Sequence, residues 1–236
     1  MEINDNQLLP RYKPWYKKWW GVILIIVIIF ILSFILAFTL YILDISKKIK
    51  NNLTDGSLAT QILSGQTYQL EDNNNYWFGA SNPKITIVEF ADFSCPVCKN
   101  TYPKIREISL KYKTDVKIIF KDFPVVSEES TLLALTARCA GEQGFFWLMH
   151  DKLFQNQGIS NYSELTNLAN QIGADINKFN NCIDNEKYLT DIKKDYTEGE
   201  KLGVKGTPTW FINGYKIEGD IPYTLFIQLI DTLLKE

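Results

Sequence analysis

Only one histidine, two methionines and four cysteines occur in 236 residues, and neither sign of charge is in surplus. Each shortage closes a class of function. A formal net charge of -2 and a pI near 5.6 leave no basic footprint for a polyanion, so no nucleic-acid partner is expected. The single histidine, His150, lies in a helical stretch from Phe145 to Phe154 with no Asn or Asp constellation pointing to it. It reads as a packing or surface residue, and a Cys-His hydrolase is unsupported. Four cysteines are too few to staple a small scaffold of this length, so their spacing carries more than their number. Cys95 and Cys98 stand close together, while Cys139 and Cys182 stand far apart. What is present suits a globular core: 46% of residues are hydrophobic and 22% charged, enough for one ordinary domain with something added.

The addition is an apolar run, GVILIIVIIFILSFILAFTLYIL from Gly21 to Leu43, without one charged residue. It is long enough to cross roughly 30 Å of hydrocarbon as a helix. A buried soluble helix would show a polar stripe, which Ser33 and Thr39 alone do not supply. The run exceeds a signal-peptide core and no A-x-A-like stretch follows it, so an uncleaved signal-anchor is the first reading and a cleaved segment the second. Arg11, Lys13, Lys17 and Lys18 precede it and Lys47, Lys48 and Lys50 follow it, a balance that leaves the positive-inside rule without a decision. Trp15, Tyr16, Trp19 and Trp20 form an interfacial aromatic cluster at its first end. The organisation expected is a short cytoplasmic tail over 1–20, a transmembrane helix over 21–43, a linker over 44–75 and a folded domain over 76–236. The linker is rich in Asn, Ser, Thr, Lys and Gly and has room for a short helix near Leu58 to Leu63.

In the domain, Ile85 to Phe90 is a continuous apolar, β-branched run that suits a buried strand, and Val116 to Phe120 is a second. Between them Tyr102, Ile105 and Ile108 recur at helical spacing, which predicts a βαβ unit with a parallel pair. From about 128 to 202 the pattern is helical, with Leu132, Leu135 and Cys139 and later Phe179 and Ile183 on helix faces. Strand character returns at Thr209 to Ile212, turns at Asn213-Gly214, continues to Ile217, and a helix closes the chain around Tyr223 to Leu234. The class is α/β with a helical subdomain inserted between two halves of a small sheet.

Cys95-Pro96-Val97-Cys98 falls where the first strand gives way to a helix. Cys95 would occupy the helix N-terminus, where unpaired N–H groups and the dipole stabilise a thiolate. A stabilised thiolate is available for attack and leaves readily, which is what disulfide exchange needs. Pro96 fits the first turn, where its missing N–H costs nothing. Cys98, almost one turn on, is placed to resolve a mixed disulfide. The competing readings are an inert buried pair and a non-catalytic thiol module that binds metal or a partner protein. Zinc would need two more ligands, for which Cys139 and Cys182 are the available cysteines.

Ile85 to Cys98 reads ITIVEFADFSCPVC and Gly203 to Gly214 reads GVKGTPTWFING, with Lys121-Asp122-Phe123-Pro124 after the second strand and Arg138-Cys139-Ala140-Gly141-Glu142-Gln143-Gly144 leading into Phe145-Phe146-Trp147. From Tyr76 onward this resembles the DsbA-like thiol-disulfide oxidoreductases of the thioredoxin superfamily. The resemblance implies a thioredoxin-like fold, with Pro208 a cis-proline facing the dithiol and Thr207 offering backbone groups to a bound client; sequence alone gives only a turn proline there. Glu89, an acid in an apolar strand, matches an acidic position of the family and would exchange protons with Cys98 if buried; the other reading is a glutamate on an exposed strand face. Similar sequences often carry cysteines where Cys139 and Cys182 stand, which implies a second, structural disulfide; the alternative is two buried free thiols. Strong oxidants of the family carry Cys-Pro-His-Cys, whereas Val97 stands here, so the direction of electron flow stays open.

The apolar run implies a single-pass cell-membrane protein, and the dithiol chemistry puts its catalytic domain on the extracytoplasmic face, with the N-terminus placed inside for that reason. No dissociable cofactor is expected beyond the Cys95–Cys98 disulfide. The expected partners are exported protein clients, a membrane thiol oxidase or reductant carrier, and the bilayer itself.

Overall fold

The computed structural model describes residues 16, 18–54, 57–70 and 75–235, so most of the expected tail over 1–20 lies outside the described residues. The chain divides into two units, 1–52 and 53–236.

The first unit is built on helix α1, Trp19–Thr54. Its most apolar window has a mean hydropathy of 3.3, long and apolar enough to cross a membrane. Hydroxyls within it turn inward on the helix: Ser33 donates to the Phe30 carbonyl and Thr39 to that of Leu36, each at 2.8 Å, so neither presents a free donor. The helix continues past Leu43 because no Gly or Pro interrupts it, and an ion pair between Lys48 and Asp44 supports its polar extension.

The second unit holds helix α2 (Ser57–Leu63), strands β1 (Trp77–Gly79) and β2 (Ile85–Ala91), helix α3 (Pro96–Lys111), strand β3 (Val116–Asp122), helices α4 (Ser130–Gly141), α5 (Phe146–Gln155), α6 (Tyr162–Gln171), α7 (Ile176–Asp184) and α8 (Leu189–Lys201), strands β4 (Thr209–Ile212) and β5 (Tyr215–Glu218), and helix α9 (Tyr223–Leu233). The strands form one mixed sheet in the order β1-β3-β2-β4-β5, with β2 and β3 parallel and the other pairs antiparallel. β2 is central and buried except at half-buried Thr86, as its largely apolar run requires. This is a thioredoxin-like fold with a helical subdomain, α4 to α8, set between β3 and β4.

Helices α2, α3 and α9 share a core with Ile85, Ile87, Ile118 and Trp210. Phe90, Phe123 and Phe211 pack on the opposite sheet face, where Gly199 of α8 lets Phe123 and Phe90 approach so closely that a Cβ would sit 2.7 Å from the Phe123 ring. The insertion has its own core, which runs on to Phe93, Cys95 and Cys98. Cys139 of α4 and Cys182 of α7 are joined by a disulfide.

Two features depart from the pattern read in the sequence. The short helix near Leu58 to Leu63 exists, but it is not part of a free tether: Ala59 is fully buried with the α9 residues, Thr67 bridges Tyr215, and Tyr68 meets Phe211 edge to face. Residues 57–70 therefore belong to the folded unit. Strand β1 was not anticipated, because three residues show no period; it ends at Gly79, whose φ of +100° and approach to the Val116 carbonyl exclude a side chain.

Candidate active site

Strand β2 delivers the site. After Ala91 the chain turns through Asp92-Phe93-Ser94, and Cys95 takes the N-cap position of α3 with extended backbone, φ -77° and ψ 119°, followed by Pro96 in the first turn. Asp92 makes that turn. Its carbonyl accepts the Cys95 N–H at 3.0 Å, one carboxylate oxygen accepts the Ser94 N–H at 2.8 Å, and the other accepts Val125 and Val126 N–H groups at 2.8 Å each. Gln157, from the α5–α6 connection, donates its amide to the Phe93 and Cys95 carbonyls at 2.9 Å.

Cys95 and Cys98 are unbonded thiols, with Cys98 fully enclosed. The Cys95 thiol donates to the Thr207 carbonyl at 3.1 Å, and the Thr207–Pro208 peptide bond is cis. Of the residues implied by the family resemblance at 207 and 208, Thr207 thus meets Cys95 through its carbonyl and Pro208 follows it across the cis bond. The Cys95 thiol is driven from its ordinary 9.0 to about 5, chiefly by the Cys98 thiol donating to its anion. Burial opposes this, while the Thr207 side chain and the Cys98 and Val97 N–H groups reinforce it. Cys98 moves the other way: burial first, then its bond to Cys95 and the charge of Glu89, push its thiol far above the usual range.

Glu89 lies in central β2 between Phe120 and Trp210 of the neighbouring strands and is 3% exposed. Of its two readings, the exposed strand face is excluded. Burial, with the Cys95 charge behind it, raises its carboxyl from 4.5 to about 8, and Oε1 has no hydrogen-bond partner. Arg106 pulls against that rise. Arg106 is itself held by Asp151 and the Trp147 carbonyl and lies over the Phe78 and Trp147 rings.

His150 is buried among Phe93, Phe120, Trp147 and Phe154, and burial lowers its pKa, so it packs as a neutral ring with Nδ1 on Asp151. Lys121, Asp122 and Arg138, which stand in the family-like motifs, meet Asp195 and Glu198 in a buried network that fastens α4 and α8 to β3. Asn75 completes it through two 2.9 Å bonds to Asp195. The bond between Cys139 and Cys182 occupies the two further cysteines that the sequence offered as zinc ligands. Asp92 and Gln157 escaped the sequence reading. An acid three residues before the first cysteine was a visible signal for Asp92, whereas Gln157 lies 62 positions from Cys95 in the chain and gave none.

A five-stranded mixed sheet carrying a Cys-x-x-Cys at the N-terminus of the helix that follows its central strand defines a thioredoxin-fold dithiol protein. A model of the thioredoxin family matches residues 71–232, and the chain belongs to that family. A periplasmic thioredoxin-like protein from Salmonella enterica serovar Typhimurium superposes with a TM-score of 0.59 at 28% identity, over 71% of this chain and 99% of that one. The thiol-disulfide exchange protein alpha-DsbA2 from Wolbachia pipientis shares the fold at a TM-score of 0.64 and 24% identity, over 75% of this chain and 97% of that one. In sequence, a Na(+)/H(+) antiporter NhaA 3 from Salinispora tropica is 32% identical over 149 residues, 62% of this chain. The chain spans only 22% of that relative's length.

Proposed function

We propose that the chain is a membrane-anchored thiol-disulfide oxidoreductase that acts on exported proteins at the extracytoplasmic face. Cys95 forms the mixed disulfide with the client, Cys98 resolves it, and the Thr207-Pro208 segment offers its backbone to the client strand. Pro96 presets the helix that holds both thiols. The observation that carries the reading is the split between the thiols: one acidic and placed at a helix N-terminus, its neighbour enclosed and protonated. To Glu89 we assign the taking or supplying of the Cys98 proton, a role supported by its burial and by the effect of its charge on the Cys98 thiol. No dissociable cofactor enters this scheme, because the Cys95–Cys98 couple takes up two electrons as its disulfide and holds them as its dithiol. A membrane thiol oxidase or a reductant carrier renews that disulfide or dithiol, and α1 keeps the domain beside either.

The test is a redox titration of the full chain in detergent, using glutathione buffers and thiol trapping. A reversible two-electron transition at about -120 to -180 mV supports disulfide donation or shuffling. One near about -270 mV assigns a reductase, and absence of any reversible transition removes the oxidoreductase reading.

A further inference from the structure

Beside Cys95 opens a cavity of about 400 Å³ that the exchange between the two thiols does not use. Three segments wall it. Ser94 comes from the turn before the nucleophile, Ser127 and Glu129 from the β3–α4 connection, and Gln157 and Ile159 from the α5–α6 connection, while buried Leu133 of α4 adds an apolar wall. These segments are fastened to one another. The Asp92 carboxylate binds the Ser94 N–H on one side and the Val125 and Val126 N–H groups on the other. The Ser94 and Ser127 hydroxyls meet at 2.9 Å, and the Gln157 amide holds the Phe93 and Cys95 carbonyls. A pocket tied on three sides loses little freedom when filled, so an occupant's contacts are not spent on ordering its walls.

Its chemistry has two parts. Leu133 and half-buried Ile159 offer aliphatic contact. Glu129 is exposed, does not cap its own helix with its side chain, and its carboxylate makes no hydrogen bond or ion pair among the described residues. Glu128, also exposed, adds a second negative charge next to it in sequence. A long aliphatic stem ending in a cation satisfies both parts. We infer that this cavity is a client subsite for a lysine or arginine side chain close to the client's reacting cysteine. The inference rests on the oxidoreductase reading and gives it a substrate preference.

The experiment uses the full chain in detergent, oxidised at Cys95–Cys98, and three two-cysteine peptides that differ only in one residue beside the first cysteine: lysine, norleucine or glutamate. In each turnover a peptide thiolate attacks Cys95 Sγ and displaces Cys98. The second peptide thiol then closes the peptide disulfide and releases Cys95 as its thiolate, so two electrons pass from peptide to protein, one proton goes to Cys98 and the other to solvent. Acid-quenched mass spectrometry gives the rate. The lysine peptide should outpace norleucine by roughly threefold to fivefold, the range of one solvent-facing ion pair, with glutamate slowest and the advantage shrinking as salt rises. In Glu129→Gln the lysine-to-norleucine ratio should fall to about one, and in Glu129→Lys the glutamate peptide should lead. Equal lysine and norleucine rates in the unaltered chain, or a lysine preference that survives Glu129→Gln, would overturn the subsite. Failure to react with any peptide or with dithiothreitol would instead overturn the oxidoreductase reading beneath it.

Discussion

Cys95 caps α3 and Cys98 lies one turn inside it, and this small displacement sets their acidities apart. The capping sulfur collects a thiol and two backbone N–H groups as donors, whereas the inner sulfur faces a buried carboxyl and the neighbouring thiolate. Alkylation of the reduced protein by iodoacetamide should therefore rise with pH through a midpoint of about 5 and level off above it, with one thiol modified and Cys98 inert. A midpoint near 9 would remove the acidic nucleophile. Glu89 makes a separate claim. Its folded pKa of about 8 exceeds its ordinary 4.5, so the native state holds a proton that the unfolded state has lost between those values. Its contribution to stability is then fully present below pH 4.5 and lost as pH rises toward 8. Relative to Glu89→Gln in the same redox state, the wild type should lose up to about 1.4 kcal/mol per pH unit in that window, as denaturant titrations at several pH values would measure. Parallel curves would show that Glu89 is not the titrating group. The two cysteines were legible because their spacing is local, whereas the burial of Glu89 depends on strands β3 and β4 closing over it, which a period-two pattern cannot reveal.

At the level of elements, the insertion is joined to the sheet by charge and to itself by sulfur. The Cys139–Cys182 bond links α4 to α7 across a separation of 43 residues, a loop whose closure is worth about 4 kcal/mol in the chain-entropy account. Replacing both cysteines by alanine should lower stability by roughly that amount, measured by denaturant midpoint, while the iodoacetamide profile of Cys95 keeps its midpoint. A loss confined to a few tenths of a kcal/mol would mean that the packing of α4 on α7 already closes the loop. Helix periodicity announced α4 to α8 as a helical insertion, but the partners of Arg138 were out of reach of any periodic argument. Asp122 and Asp195 come from a strand and a helix 73 residues apart, and only the fold brings them to one guanidinium. Strand β1 and the docking of α2 were missed for a related reason. Three residues and seven residues are too short for a pattern, and both are held by partners far along the chain.

On the scale of the whole molecule, an apolar helix and a redox domain make a topological prediction. With the N-terminus inside, as the proposed function requires, protease added to the outer face of spheroplasts should remove the domain and leave a fragment containing α1; complete protection would put the domain in the cytoplasm and overturn the proposed location. The long apolar helix was the most legible part of the chain, because length and apolarity are read from adjacent residues alone. The opposed acidities of the two thiols also fix how the molecule trades protons when it trades electrons. Between pH 5 and neutrality, reduction of the disulfide yields one thiolate and one thiol, so a single proton accompanies two electrons. The midpoint potential should then fall by about 30 mV per pH unit, not the roughly 59 mV of a couple that takes up two protons. Because the Cys95 anion also raises the carboxyl of Glu89, the slope should steepen where that acid binds a proton only in the reduced state. The Nernst plot of this protein is therefore a direct readout of an acid enclosed in its central strand.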